Sequence, residues 1–110
     1  MNLSEQFLRS AEELIAEADY VQTSEKLWGA ASQLVKAVAA KRRVALRSQS
    51  DLNRFVAELR SEVNEPEIRR LWQIATSLYQ NFSEARLPAD KVKDSVADIQ
   101  RFRALLARLL

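Results

Sequence analysis

The most regular pattern of apolar positions in the chain lies between Asp19 and Arg43. Apolar residues recur there at intervals of three and four, the spacing that places side chains on one face of an α-helix. They are Val21, Leu27, Trp28, Ala31, Leu34, Val35, Val38 and Ala39. Asp19 suits the N-cap, because its carboxylate can accept hydrogen bonds from the amides of the first turn. The pattern predicts one long helix, and we expect the other helices to pack around it.

The only glycine of the chain, Gly29, falls inside this predicted helix. A glycine in a helix interior costs about 1 kcal/mol relative to alanine. Alanines surround it, at positions 30, 31, 37, 39 and 40. We interpret the position as one where another helix comes close; a neutral surface glycine is the alternative.

Four further segments have the same helical spacing. They run from Leu3 to Ala18, from Ser50 to Val63, from Glu65 to Phe82 and from Pro88 to Leu109. Asn2 and Ser50 are the expected caps of the first and third helices. Pro66 marks the break between the third and fourth helices, because proline is favoured in the first turn of a helix.

The last predicted helix has an apolar seam close to that of a coiled coil. The seam consists of Val92, Val96, Ile99, Phe102, Leu106 and Leu109. Leu105 and Leu110 extend it to a second side, and leucines on a second side must meet solvent or a partner. We therefore expect a homodimer whose interface includes the second or fifth helix. The alternative is a monomer in which the last leucines fold back onto the first helix.

Two tryptophans, Trp28 and Trp72, lie on the apolar stripes of the second and fourth helices. Tryptophans in such positions more often fill a core than stack on a ligand or a base. We expect both side chains to be largely buried.

Composition favours helices over sheets. The 110 residues are 47% apolar and include one glycine and two prolines, too few turn residues for a sandwich or barrel. The predicted fold class is all-α: a single-domain, up-and-down bundle of four to five helices over residues 1–110. The longest uncharged run, residues 71–83, is too short to span a bilayer, and no signal-peptide pattern is present. We therefore expect a cytoplasmic protein that does not contact membranes.

The chain contains neither histidine nor cysteine, which excludes most catalytic chemistry. A serine nucleophile would lack its usual base, and a zinc site would lack sulfur and imidazole ligands. Glu13 and Glu17 stand one helical turn apart, but the comparable helical di-metal sites also need a Glu-x-x-His unit. A solvated acidic face is the expected role of this pair. We therefore predict no enzyme activity, no metal and no cofactor.

Charge is unevenly distributed along the chain. Residues 1–20 carry five acidic and one basic side chain, whereas residues 36–54 carry six basic and one acidic. The basic side chains are Lys36, Lys41, Arg42, Arg43, Arg47 and Arg54. They could contact a protein partner or the phosphates of RNA, although no aromatic residue lies within this stretch to stack on a base. The alternative is a solvated helix end followed by a loop.

Two segments resemble signature motifs of the PaREP family. DYVQTSEKLWGAASQLVKAVA, residues 19–39, resembles the family's "D-Y-x-Q-A-S-E-K-x-W-x-A-A" helix. LYQNFSE, residues 78–84, resembles its "L-H-x-N-F-Y-E" segment, in the same order and at a similar separation. The resemblance extends over most of the chain from Asp19 onward. PaREP proteins are related to the HEPN superfamily of small, commonly dimeric helical bundles, many of which are RNases of toxin systems or partners of small nucleotidyltransferases.

The resemblance implies the fold and a self-associating module that binds a protein partner, but not the nuclease. Catalytic HEPN RNases use an arginine followed by a histidine, and this chain has no histidine. Tyr79 stands where the family often has histidine, and Ser83 where it often has tyrosine. The polar residues that match the signature are Asp19, Tyr20, Glu25, Lys26, Asn81 and Glu84. They could form a polar site, or serve as helix caps, a surface charge pair and a helix-end hydrogen bond.

Overall fold

A computed structural model describes residues 2–84 and 87–110, with the side chains of residues 82–84 outside the description. The described residues form five α-helices and no strand. They are α1 (Leu3–Ala16), α2 (Tyr20–Lys41), α3 (Gln49–Val63), α4 (Glu67–Glu84) and α5 (Ala89–Ala107). The all-α prediction is confirmed. Within the described residues, no helix combines the length and apolar character needed to cross a bilayer.

Helix α2 lies at the centre of the molecule and packs against each of the other four helices. Its fully buried apolar residues are Leu27, Ala30, Ala31, Val35, Val38 and Ala39. This confirms the long helix at the centre of the chain. Val21 departs from the pattern: it lies in the first turn of α2 and is exposed.

The interpretation of Gly29 as a site of close helix approach is confirmed. Gly29 is buried, and a Cβ atom added to it would lie 2.9 Å from Cγ of Phe7 on α1. One turn away in α1, the Ser4 hydroxyl donates a hydrogen bond of 2.7 Å to the carbonyl oxygen of Ala30. The glycine therefore lets α1 lie directly against the backbone of α2.

Helix α1 is shorter than the sequence predicted, and residues 17–19 form the corner between α1 and α2. Helix α1 ends at Ala16 rather than Ala18, because Ala18 adopts a left-handed conformation with φ of 58°. The Asp19 N–H then donates to the carbonyl of Leu14 at 3.0 Å. The Asp19 carboxylate caps α2 as expected, accepting from the Gln22 N–H at 3.1 Å.

The cap of α3 is Ser48, not Ser50 as expected. The Ser48 hydroxyl accepts from the Asp51 N–H at 3.1 Å, while the Asp51 carboxylate accepts from the Arg47 N–H at 2.9 Å. This reciprocal arrangement satisfies two backbone donors at once, as a capping box does. Ser50, two residues later, lies inside the helix. Helix α4 begins at Glu67, two residues after the predicted start.

Trp72 is buried, as expected, with only 6% of its surface exposed. Its indole N–H donates to Asn53 Oδ1 on α3 at 2.9 Å. Trp28 is less completely buried than Trp72: its side chain is partly buried and packs against the core. The Trp28 ring lies at the edge of the core, with its centroid 5.2 Å from that of Trp72 and 5.0 Å from that of Tyr79.

The leucines at the end of α5 do not form the second exposed side that the sequence suggested. Leu105 and Leu106 are buried within the chain's own core, and Leu109 packs against that core. Only Leu110 remains substantially exposed, at 46%. Most of the apolar surface of α5 is therefore covered by the other helices.

Candidate functional site

The six basic residues singled out in the sequence lie in different surroundings. Lys36 and Arg47 line the same cleft. Arg42 forms an ion pair with Glu62, and Arg54 lines a separate recess. Lys41 and Arg43 lie exposed at the end of α2. The six residues thus lie in four different environments.

The cleft that holds Lys36 and Arg47 lies between α2, α4 and the start of α3; we call it the Trp28 cleft. It has a volume of about 220 Å³ and is lined by Trp28, Ser32, Lys36, Leu46, Arg47, Ser48, Gln49, Leu52 and Tyr79. No carboxylate is among these lining residues, so the cleft carries positive charge. Tyr79 is 40% exposed, and its ring and that of Trp28 offer aromatic surface beside the two cations. Such a combination can bind a phosphate and stack on a base.

Sequence reasoning missed these aromatic residues because neither lies inside the basic stretch. Trp28, Ser32 and Lys36 are spaced four residues apart and therefore share one face of α2. That spacing could have linked the tryptophan with the lysine. Tyr79 could not have been found in this way, because only the packing of α4 on α2 brings it to the cleft.

Arg42 is engaged with α3 rather than available to a ligand. Both of its Nη atoms donate to the Glu62 carboxylate, one of them at 2.8 Å. The hydrogen bond to Glu62 raises the pKa of Arg42, and the same bond lowers the pKa of Glu62. The pair links the end of α2 to the last turn of α3 and leaves little net charge there.

Arg43 owes its exposed position to the way α2 ends. Its backbone is left-handed, with φ of 60°. The Val44 N–H donates to the Ala39 carbonyl at 2.8 Å, and the Arg43 N–H donates to the Ala40 carbonyl at 3.0 Å. These two bonds form a Schellman motif, in which glycine is the usual left-handed residue. The cation also lies near the negative end of the helix dipole.

Arg54 lies in a recess of mixed charge. The recess has a volume of about 230 Å³, and Asp51 and Glu58 line it together with Arg54. The backbone N–H of Arg47 lowers the pKa of the Asp51 carboxyl, which favours its charged form. An anionic ligand would meet two carboxylates here, so Arg54 does not extend the Trp28 cleft electrostatically.

The polar signature residues connect α2 to α4. Asn81 is 2% exposed, and its Nδ2 donates to the Ser24 hydroxyl at 2.8 Å. That hydroxyl donates in turn to the Tyr20 carbonyl at 2.9 Å. The Oδ1 of Asn81 accepts from the Leu87 N–H at 2.6 Å. Asn81 therefore ties the end of α4 to the start of α2.

The remaining signature residues lie apart from this network. Lys26 places its Nζ 5.3 Å from the centroid of the Phe7 ring, which binds it to α1 through a cation–π contact. Glu25 is exposed, and the Glu84 side chain lies outside the described residues. In the part of the chain that the structure describes, no three acidic side chains gather to hold a metal ion. Asp19 thus serves helix capping, and Lys26 and Asn81 connect helices.

Comparison with known proteins gives a family and a fold. The sequence profile of the family described as "Archaeal PaREP1/PaREP8 family" matches residues 1–103. Among solved structures, the crystal structure of a protein from Sulfolobus solfataricus matches with a TM-score of 0.86 and 24% sequence identity. The match covers 99% of this chain and 97% of that chain. No curated protein matches the chain.

Proposed function

We propose a function that starts from a fact: the chain belongs to the archaeal PaREP1/PaREP8 family. The proposal is that the protein is a non-catalytic, HEPN-like interaction module of the cytoplasm. It self-associates as a homodimer and binds a second protein, such as a small nucleotidyltransferase. The observation that carries this proposal is an exposed apolar surface where α1, α2 and the end of the described chain meet.

This surface, the Leu110 patch, surrounds a recess of about 320 Å³. It is lined by Asn2, Leu3, Ser4, Gln33, Leu34, Lys36, Ala37 and Leu110. Leu3 is 49% exposed and Leu110 46%. Lys36 carries the only charged side chain among the described residues of the lining. Contiguous exposed apolar surface marks interfaces when it is large, and we infer that these two leucines form part of one. Homodimerisation would cover these leucines in both copies.

The position of the patch on α2 favours contact between two copies of the chain. Ala37 is exposed in the lining and has a side chain small enough to let a second helix come close. Around a two-fold axis, each contact made by one copy is repeated by the other. Of the two helices that the sequence led us to expect in the interface, α2 and α5, this interface would include α2 rather than the buried leucines of α5.

Light scattering at micromolar concentrations tests the dimer. We expect the mass of two chains for the wild type and of one chain for Ala37→Glu, which places a charge in the patch. Ala97→Glu is the matched control, because Ala97 is an exposed alanine inside α5. A mass of one chain for the wild type at every concentration would reject the proposal.

The protein partner is tested through neighbouring genes. If a small nucleotidyltransferase is encoded beside this chain, co-expression of the two should yield a complex that elutes together in gel filtration. Separate elution of the two proteins at concentrations well above micromolar would remove the nucleotidyltransferase from the proposal.

A second candidate function, RNA or nucleotide binding, is supported by the Trp28 cleft. Lys36 and Arg47 could contact phosphates, while Trp28 and Tyr79 could stack on a base. Binding of single-stranded RNA should then weaken steeply as salt is raised. Lys36→Ala should reduce both the affinity and the salt slope, whereas Lys91→Ala, at an exposed lysine of α5, should change neither. Affinity that is independent of salt would exclude a phosphate-driven contact.

A further inference from the structure

We propose that a second cleft, between α3 and α4, binds a small organic anion with an apolar body. The Arg69 cleft, as we call it, has a volume of about 300 Å³. It is lined by Asn53, Val56, Ala57, Arg60, Arg69, Trp72 and Gln73. It is distinct from the Trp28 cleft and from the Leu110 patch, and the proposal depends on neither the dimer nor RNA binding.

The two arginines of this cleft lack partners within the described residues. In that part of the chain four arginines form ion pairs, namely Arg42, Arg70, Arg101 and Arg103, and the other arginines form none with a described residue. Arg60 and Arg69 form none with a described residue, and the Nε atom of Arg60 is buried without a hydrogen-bond acceptor. Because that atom is buried, a ligand in the cleft would bind instead to the terminal Nη groups of Arg60 and Arg69, which form no hydrogen bond with a described residue.

The remaining polar groups of the cleft complement an anion. Trp72 Nε1 donates to Asn53 Oδ1 at 2.9 Å, and Gln49 Nε2 donates to the same oxygen at 3.1 Å. Because this oxygen already accepts two bonds, the group that Asn53 can still offer a ligand is its Nδ2 donor. Among the described residues, the lining contains two cations and no carboxylate. A cationic ligand would therefore meet only charge repulsion.

The apolar part of the lining restricts the ligand further. Val56 and Trp72 are buried and form the inner wall, with Ala57 beside them. An inorganic ion would leave this wall in contact with water. A volume of about 300 Å³ lies at the lower end of the range for small-molecule sites. The matching chemistry is a carboxylate or phosphate on a compact apolar or aromatic body, held by arginine through paired hydrogen bonds.

Four probes distinguish the features of the ligand. Phenyl phosphate and benzoate combine an aromatic ring with a phosphate and a carboxylate, respectively. Benzyl alcohol has the ring without the negative charge, and inorganic phosphate has the charge without the ring. We expect at least one of the aromatic anions to shift the NMR signal of the Trp72 indole N–H saturably. Its binding should be about tenfold or more tighter than that of benzyl alcohol or inorganic phosphate. Absence of a saturable shift with both aromatic anions, or equal binding of the benzyl alcohol, would overturn the proposal.

Substitutions of Arg60 and Arg69 test whether these two residues bind the anion. Arg60→Met and Arg69→Met keep most of the side-chain stem, and each should weaken anion binding about tenfold, as loss of a charge-assisted hydrogen bond does. The matched controls are Arg54→Met on α3 and Arg70→Met on α4, which alter arginines outside the cleft. If Arg60→Met disturbs folding, Arg69→Met decides, because Arg69 is exposed. Equal weakening by the control variants would show non-specific charge attraction and overturn the assignment.

Discussion

Asn81 on α4 donates a hydrogen bond to the Ser24 hydroxyl on α2, joining residues 57 positions apart in the sequence. Both side chains are buried, and Asn81 also accepts from the Leu87 backbone N–H. One side chain thus satisfies polar groups in two other parts of the chain. The contact gives this signature asparagine a structural role.

We expect Asn81→Leu to destabilise the protein by about 1–3 kcal/mol, because it leaves the Leu87 N–H without its acceptor and removes the donor to Ser24. Urea unfolding at neutral pH measures the loss. Gln80→Leu is the control, since Gln80 is its exposed neighbour on α4. If both variants lose the same stability, the Asn81 hydrogen bonds contribute nothing specific.

Gly29→Ala should destabilise the protein although alanine is the better helix former. The added Cβ would lie 2.9 Å from Phe7 Cγ, and such overpacking costs about 1–3 kcal/mol. In a Phe7→Ala background the clash is absent, so the same substitution should stabilise by about 1 kcal/mol. A double-mutant cycle measures the change of sign. Stabilisation in both backgrounds would mean that the Phe7 ring moves aside freely.

The two tryptophans should differ in their contribution to stability. Trp72→Ala should cost about 3–5 kcal/mol, as truncation of a buried aromatic residue does. Trp28→Ala should cost less, because Trp28 is half-buried. Trp72→Phe tests the hydrogen bond to Asn53 separately and should cost about 1 kcal/mol beyond the lost ring area. An equal loss for the two alanine variants in urea unfolding would contradict this ranking.

Acid should destabilise the fold through three carboxylates. The side-chain hydrogen bond from Arg42 lowers the pKa of Glu62, that from Arg101 lowers the pKa of Glu67, and the Arg47 backbone N–H lowers that of Asp51. A lowered pKa in the folded state adds stability above the unfolded value, which is 4.5 for a glutamate, and the gain disappears as pH falls through the folded pKa. Urea midpoints measured from pH 7 to pH 3 should therefore decrease below about pH 4.5. Glu62→Gln should make that decrease smaller, and an unchanged midpoint in acid would contradict the prediction.

We expect the purified protein to show no metal-independent RNase activity, since the chain has neither histidine nor cysteine. A mixed RNA pool incubated with EDTA should remain intact. Cleavage that co-purifies with the protein and disappears on Arg42→Ala or Arg69→Ala would contradict this expectation and reopen an enzymatic role.

Much of the fold could be predicted because helical periodicity depends on neighbours along the chain. The spacing of apolar residues identified α2 as the central helix, and Gly29 correctly marked the close approach of α1. The first and last residues of each helix are harder to predict, because they depend on capping contacts and not on helical spacing. Ser48 and Ser50 could each cap α3, and only the capping partner Asp51, three residues after Ser48, distinguishes them.

The candidate site could be predicted only in part, because its residues come together through tertiary packing. Lys36 and Arg47 were identified from charge, but Tyr79 reaches their cleft from α4. Arg42 was also identified from charge. It forms an ion pair with Glu62, which lies 20 positions away in the sequence, so its charge is neutralised within the fold. Charge counted along a sequence does not reveal which cations the fold neutralises.

The short corner between α1 and α2 has a consequence for the order of folding. Residues 17–19 separate the two helices, and the amides of Glu17, Ala18 and Asp19 all donate to carbonyls of α1. Closing so short a connection costs little chain entropy, and proteins form local contacts of this kind rapidly. By contrast, the Asn81–Ser24 contact closes a loop of 57 positions and therefore forms later. We expect α1 and α2 to form the first stable hairpin, onto which α3, α4 and α5 then dock.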